Sequence, residues 1–140
     1  MGNYITKTDI IEQLAEESLM QLTDDEGIGS VNDVRVDAAI EDSEGEVDGY
    51  LSVRYACPIS PTPKIIKKCA VDIAIYNLYA RRDTANEERE KRYKNAVRFL
   101  ENASKGVVTL GADAPIREDS ARVSIESADR LWTRKDLDNY

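Results

Sequence analysis

A carboxylate inside an apolar helix, two cysteines and an acidic, glycine-containing loop are the groups that could carry chemistry in this 140-residue chain, which has no histidine. The carboxylate is Asp72, within the stretch Pro61 to Arg82. A buried acid works as an acid or base only where a pocket tunes it. Lys68 and Tyr76 lie one helical turn to either side, so a partner within the helix can satisfy Asp72 and a structural role is expected. Cys57 and Cys69 show neither zinc spacing nor a disulfide framework and read as small buried apolar residues.

The loop Thr23-Asp24-Asp25-Glu26-Gly27-Ile28-Gly29 invites comparison with a calcium loop. Counted from Asp24, the sixth position is Gly29 as required, but the fifth is Ile28 and the twelfth, where a bidentate Glu belongs, is Arg35. A solvated connection between helices is expected instead. The chain also lacks a phosphate-cradling loop followed by Lys and Ser/Thr, a nucleophile elbow and a cysteine–histidine pair. The acid pairs Asp24/Asp25 and Glu16/Glu17 fall in loops or on polar faces. Neither enzymatic activity nor a cofactor or metal is expected.

The elements that would position these groups are helical. Ile65, Ile66, Cys69, Ala70, Ile73, Ala74, Tyr76 and Tyr79 recur at three- and four-residue steps, while Val71, Ile75 and Leu78 fill the other side. A helix apolar all round is a buried one. Pro63 suits its first turn. Upstream, Thr6 and Asp9 form a capping box, with Ile5 and Ile10 as a hydrophobic staple, for an amphipathic helix carrying Ile10, Ile11, Leu14 and Ala15 on one face. Ser18 to Leu22 either extends that helix or forms a separate turn.

Ser30 and Asp33 predict the cap of a helix in which Val36, Ala39, Ile40, Ser43, Val47, Tyr50, Leu51 and Arg54 face inward, with Asp37, Glu41, Asp42, Glu44 and Asp48 on other faces. Gly45 and Gly49 would leave a groove for another helix. Pro58, Pro61 and Pro63 predict an extended, stiff hinge. Thr84 and Glu87 predict the cap of a last helix through Tyr93, Ala96, Val97, Leu100 and Ala103, with Gly106 as its stop.

Beyond this the pattern changes. Residues 1–111 read as a helical bundle, all-α with about four to five helices, and 112–140 as an extended arm in which Val123 and Ile125 alternate with polar residues as in a short strand. So polar an arm has no core of its own. It either stays disordered or docks Leu131, Trp132 and Leu137 on another surface.

Net charge is −8, unevenly spread: residues 1–60 hold fourteen acids and three bases, residues 61–140 thirteen acids and sixteen bases. That asymmetry disfavours a general nucleic-acid binder. It permits an acidic part of one subunit to meet a basic part of the next, beside the plainer reading of a solvated acidic surface. No apolar run reaches the roughly 18–20 residues of a membrane span and Met1 to Ile5 is no leader, so no membrane association and a cytoplasmic location are expected.

The succession of segments resembles a family of small proteins encoded in the head-morphogenesis region of Mu-like phages and prophages. The likeness lies in Tyr4-Ile5-Thr6, Gln21-Leu22-Thr23-Asp24-Asp25, Glu46-Val47-Asp48-Gly49-Tyr50-Leu51 with Arg54-Tyr55 and Pro58, Val71-Asp72-Ile73-Ala74, Leu78-Tyr79 with Arg81-Arg82, Arg92-Tyr93 with Ala96 and Leu100, and Gly106 before Leu110-Gly111. A looser likeness runs through Arg130, Trp132, Arg134 and Leu137. The resemblance implies a virion structural protein at the head–tail junction, similar to the helical adaptors that ring the portal of long-tailed phages, assembled in the bacterial host cytoplasm and carried in the virion. Its implied partners are further copies of itself, the portal, and tail or neck proteins, without sequence-specific nucleic acid.

In such a ring Asp37, Glu41, Glu44 and Asp48 are candidate interface residues, with Leu131, Trp132 and Leu137 as the anchor of the arm. Tyr50, Leu51, Asp72, Ile73, Tyr76, Tyr79, Tyr93 and Leu100 are expected fold determinants. The alternative is a small regulatory or DNA-binding helical protein, such as a packaging recognition subunit. Its nearest recognition helix, Arg89 to Arg98, is diluted by interleaved acids.

Overall fold

The computed structural model describes residues 2–110. Five helices follow in order: α1 (Lys7–Gln13), α2 (Glu16–Thr23), α3 (Asp33–Leu51), α4 (Lys64–Arg81) and α5 (Glu87–Ser104). The fold is a small all-α bundle of α3, α4 and α5, with α1 and α2 packed beside it. Arg81 at the end of α4 and Arg35 at the start of α3 share Asp25, and Arg89 at the start of α5 lies over Tyr79 near the end of α4. The three long helices therefore run up, down and up.

α4 is the centre, as its all-round apolar pattern predicts. Every residue from Cys69 to Ile75 is buried, with Ile66 and Leu78, while its two ends stay wet. Pro63 is the N-cap, one position before the first turn where the sequence suggests it. Ile65, which shares the predicted stripe, is 39% exposed.

The first predicted helix is two. Leu14 is extended (φ −136°, ψ 121°) and α2 begins at Glu16. At about 100° per residue, Leu19 would project roughly half a turn away from Ile10 on one straight helix. Breaking the chain at Leu14 lets Ile10 and Leu19 both reach zero exposure. The capping reading of α1 holds: the Asp9 carboxylate accepts from the Thr6 N–H at 2.8 Å, and Ile5 and Ile10 are both fully buried.

Two other caps differ from expectation. α3 is capped by Asn32, not Ser30; its side-chain oxygen accepts from the Val34 and Arg35 N–H groups at 3.1 and 3.3 Å. α5 is capped by Asn86, which accepts from Arg89 N–H at 2.9 Å, whereas Thr84 belongs to the end of α4. There the N–H of Asp83 (φ 56°) reaches Ala80 O and that of Thr84 reaches Tyr79 O, a Schellman closure. Gly106 (φ 79°) closes α5 the same way, as predicted. A side chain there would also meet the Arg54 guanidinium, 2.8 Å from a Cβ.

The proline-rich connection is not a surface spacer. Tyr55 and Ile59 are 3% and 1% exposed and belong to the core. On α3, Gly45 and Gly49 face open space, with nothing within 4 Å of an added Cβ, so among the described residues no helix uses the expected groove. Since both have ordinary helical backbone, Gly45→Ala and Gly49→Ala should each stabilise the isolated chain by about 0.5–1 kcal/mol in urea unfolding.

Candidate functional site

The acids of α3 divide into two sets. Glu44, expected at an interface, is 6% exposed and points inward. Its carboxylate accepts from the N–H groups of Asn3, Tyr4 and Ile5 at 2.8, 2.7 and 3.0 Å, so it holds the first residues of the described chain against the bundle. Asp48, also expected at an interface, accepts the Tyr4 hydroxyl, and the same Tyr4 oxygen accepts from Ile59 N–H at 3.0 Å. Burial first, then the Asp48 hydrogen bond, raises the Tyr4 pKa far above its ordinary value. These two acids are intramolecular fasteners. Spacing holds the clue to Glu44: it lies four residues after Ile40 and three before Val47, on the apolar stripe itself.

Asp37 and Glu41 are exposed, as an interface role requires. With Val34, Ala38, Asp42, Gly45 and Gly49, all exposed, they form an acidic ridge of mostly small side chains opposite the face that packs on α4. Leu131, Trp132 and Leu137 lie outside the described residues.

The acidic loop is solvated, as expected, with residues 25–30 all exposed, and it is fastened as well. The Asp24 carboxylate accepts from Ile28 and Gly29 N–H at 2.9 and 2.7 Å, and these backbone hydrogen bonds, Gly29 first, lower its pKa. Asp25 lies 2.8 Å from Arg81, 3.1 Å from Arg35 and 3.6 Å from Arg82. Arg81 and Arg82 also donate to the carbonyls of Leu22 and Gln21. This clasp between the end of α4 and the end of α2 escaped the sequence reading because its partners are far apart in the chain.

Of the expected fold determinants, Leu51, Ile73 and Leu100 are fully buried. Asp72 is 6% exposed and bonded to Lys68 Nζ at 2.9 Å. Tyr50, Tyr76, Tyr79 and Tyr93 are half-buried. Tyr93 stacks on Tyr76 with 4.3 Å between centroids and donates to Glu46 at 2.8 Å, so one side chain joins α5 to α4 and α3. Burial and that carboxylate push its pKa up to about 12. Burial also lifts both thiols to about 11, so Cys57 and Cys69 stay protonated near neutral pH and are poor nucleophiles.

A cleft of about 460 Å³ lies between α1, α4 and α5. Lys64, Lys67, Lys68 and Arg92 line it with Asp9, Glu12, Gln13, Val71 and Asp72. Lys67 pairs with Asp9 at 3.0 Å, Lys68 with Asp72, and Arg92 with Glu88 at 3.1 Å, while Lys64 has no ion-pair partner among the described residues. The lining thus carries four cations against three carboxylates, a slight positive excess in which Lys64 is the cation left for an incoming carboxylate. On the outer face of α5, the Glu88–Arg92 and Glu90–Lys94 pairs take up part of the basic charge within the helix itself.

Although burial opposes ionisation of Asp9, the Thr6 N–H and Lys67 together hold its pKa below the ordinary value. A lowered pKa in the folded chain stabilises it above the unfolded pKa of about 4 and is lost as pH falls through the folded one. Asp9→Asn should therefore flatten the loss of thermal stability between about pH 5 and pH 2, read as Tm against pH.

Among the described residues no helix is long and apolar enough to cross a membrane. The stretches that carry the resemblance meet in space: Tyr4 with Asp48, Glu46 with Tyr93, and Gln21 and Asp25 with Arg81 and Arg82. Comparison with known proteins agrees. A protein called Mu-like prophage FluMu protein gp36, from Haemophilus influenzae, is 26% identical over 133 residues, covering 94% of this chain and 93% of its own. Gene product J of Escherichia phage Mu is 26% identical over 137 residues, covering 95% and 96%. The family model described as Bacteriophage Mu, Gp36 matches residues 4–126, so this chain is a phage protein and belongs to that family.

Proposed function

We propose that the chain is a virion structural protein at the head–tail junction, a subunit of an adaptor ring that docks on the portal. The observation that carries this reading is an acidic ridge and a cleft lined by four cations and three carboxylates on two different faces of a small bundle. The acidic ridge is on α3, and the cleft lies between α1, α4 and α5 with no α3 residue in its lining. Identical subunits in a closed ring need such a pair of unlike, complementary patches, because each copy presents one to the neighbour before it and the other to the neighbour after. Membership of a Mu phage family and the likeness to helical adaptors support the location. The arm expected from the sequence, residues 112–140, would supply Trp132 as an anchor on the portal or the next copy.

The test is sedimentation of the purified chain with portal rings of the same phage. Co-sedimentation as a discrete, stoichiometric complex is expected. Failure to bind at both low and moderate salt would remove the adaptor reading.

A further inference from the structure

We infer that the α1/α4/α5 cleft is the seat for the acidic α3 ridge of a second copy of this chain. The inference rests on the ring reading above and names the two surfaces that would meet in it. On the cleft side, Lys64 has no anionic partner among the described residues, and it stands beside Lys67, Lys68 and Arg92. On the ridge side, Glu41 and Asp42 are exposed and have no ion-pair partner among the described residues. Glu12, also in the lining, has no ion-pair partner among the described residues either, so the cleft offers an acid ridge the Lys64 ammonium and the exposed Lys67 and Lys68, with Glu12 at its α1 edge.

Shape agrees with charge. Val34, Ala38, Glu41, Gly45 and Gly49 recur at steps of four, three, four and four, a single line along the exposed side of α3. Nothing lies within 4 Å of where Cβ atoms would stand at the two glycines. A helix so pared down on one side can seat its backbone deep in a concave surface, bringing Glu41 and Asp42 within reach of flexible lysines at the cleft mouth. Gly45 and Gly49 cost helix stability and serve no contact within the bundle. A contact with a neighbour accounts for both.

The experiment is charge reversal with repair, in the full chain. Glu41→Lys with Asp42→Lys alters the ridge; Lys64→Glu with Arg92→Glu alters the cleft; a fourfold variant carries both changes. Self-association is followed by sedimentation velocity over a wide concentration range, both alone and as copies bound per portal ring, with circular dichroism to check folding. Each double variant should weaken self-association tenfold or more, and the fourfold variant, or an equal mixture of the two doubles, should recover most of it. Added salt should weaken the wild type in the same sense. Gly45→Leu should remove association while leaving the monomer folded.

Association unchanged in both doubles, or no recovery in the fourfold variant and the mixture, would overturn the pairing. So would a wild type that stays monomeric both alone and on the portal. Loss of portal binding by the cleft variant with self-association intact would assign the cleft to the portal and overturn the pairing, yet leave the adaptor reading standing. A wild type that self-associates through these faces but never binds portal would do the reverse.

Discussion

Glu44→Ala should destabilise the chain by about 3–4 kcal/mol in urea unfolding, because it strands several backbone donors at once. The Glu44 carboxylate accepts three N–H groups, those of Tyr4 and Ile5 fully buried and that of Asn3 partly so. Each buried donor left unsatisfied costs about 1–3 kcal/mol, and the partial exposure of Asn3 lets water recover some of the sum. Glu44→Gln separates the contribution of charge from that of shape. Its amide oxygen can still accept two of the bonds, but the amide nitrogen would face a third donor, so a loss of about 1–2 kcal/mol is expected. A Glu44→Ala loss below about 1 kcal/mol would mean that residues 3–5 contribute little to the fold.

The second large effect lies in α4. Ile73→Ala should cost about 3–4 kcal/mol, the range for a large-to-small change at a site that cannot collapse. Ile73 has zero exposure and is flanked by buried Asp72 and Ala74 on its own helix. Ile65→Ala, the same substitution two turns earlier, should cost less than about 1 kcal/mol, because Ile65 is 39% exposed and loses contacts on one side only. The difference between the two variants in one denaturation series tests how deeply each end of α4 is embedded. Equal losses would mean that the first turn of α4 is covered in solution by something beyond residues 2–110.

What was legible in the sequence follows from how far each interaction reaches. The central helix, the Thr6–Asp9 box and the Gly106 stop are written in neighbours three or four residues apart, and all three are found. Caps at Ser30 and Thr84 were misread because cap-forming residues cluster there. Asn32 and Asn86 are equally competent, and the packing of α3 and α5 decides which one starts the helix. The inward turn of Glu44 and Asp48 was missed for another reason: their partners lie some forty residues upstream, and acids on an otherwise polar helix read as solvated. The clasp on Asp25 spans fifty-six residues to Arg81 and has no local trace. Asp37 and Glu41 are exposed, on a face other than the Val36, Ile40 and Val47 stripe, where the sequence pattern puts them.

The Glu44 fastening also sets an order of opening. Hairpin-like contacts between successive long helices close short loops and form early, whereas residues 3–5 join a carboxylate about forty residues away only after α3 is in place. That segment is thus a layer expected to join last and lift first. Amide exchange at Tyr4 and Ile5 reports the free energy of lifting this layer, while amides within α4 exchange only when the whole molecule unfolds. Release of the layer also frees the Ile59 N–H from the Tyr4 hydroxyl and withdraws Tyr4 and Ile5 from the core, so lifting this segment bares apolar surface that it otherwise conceals.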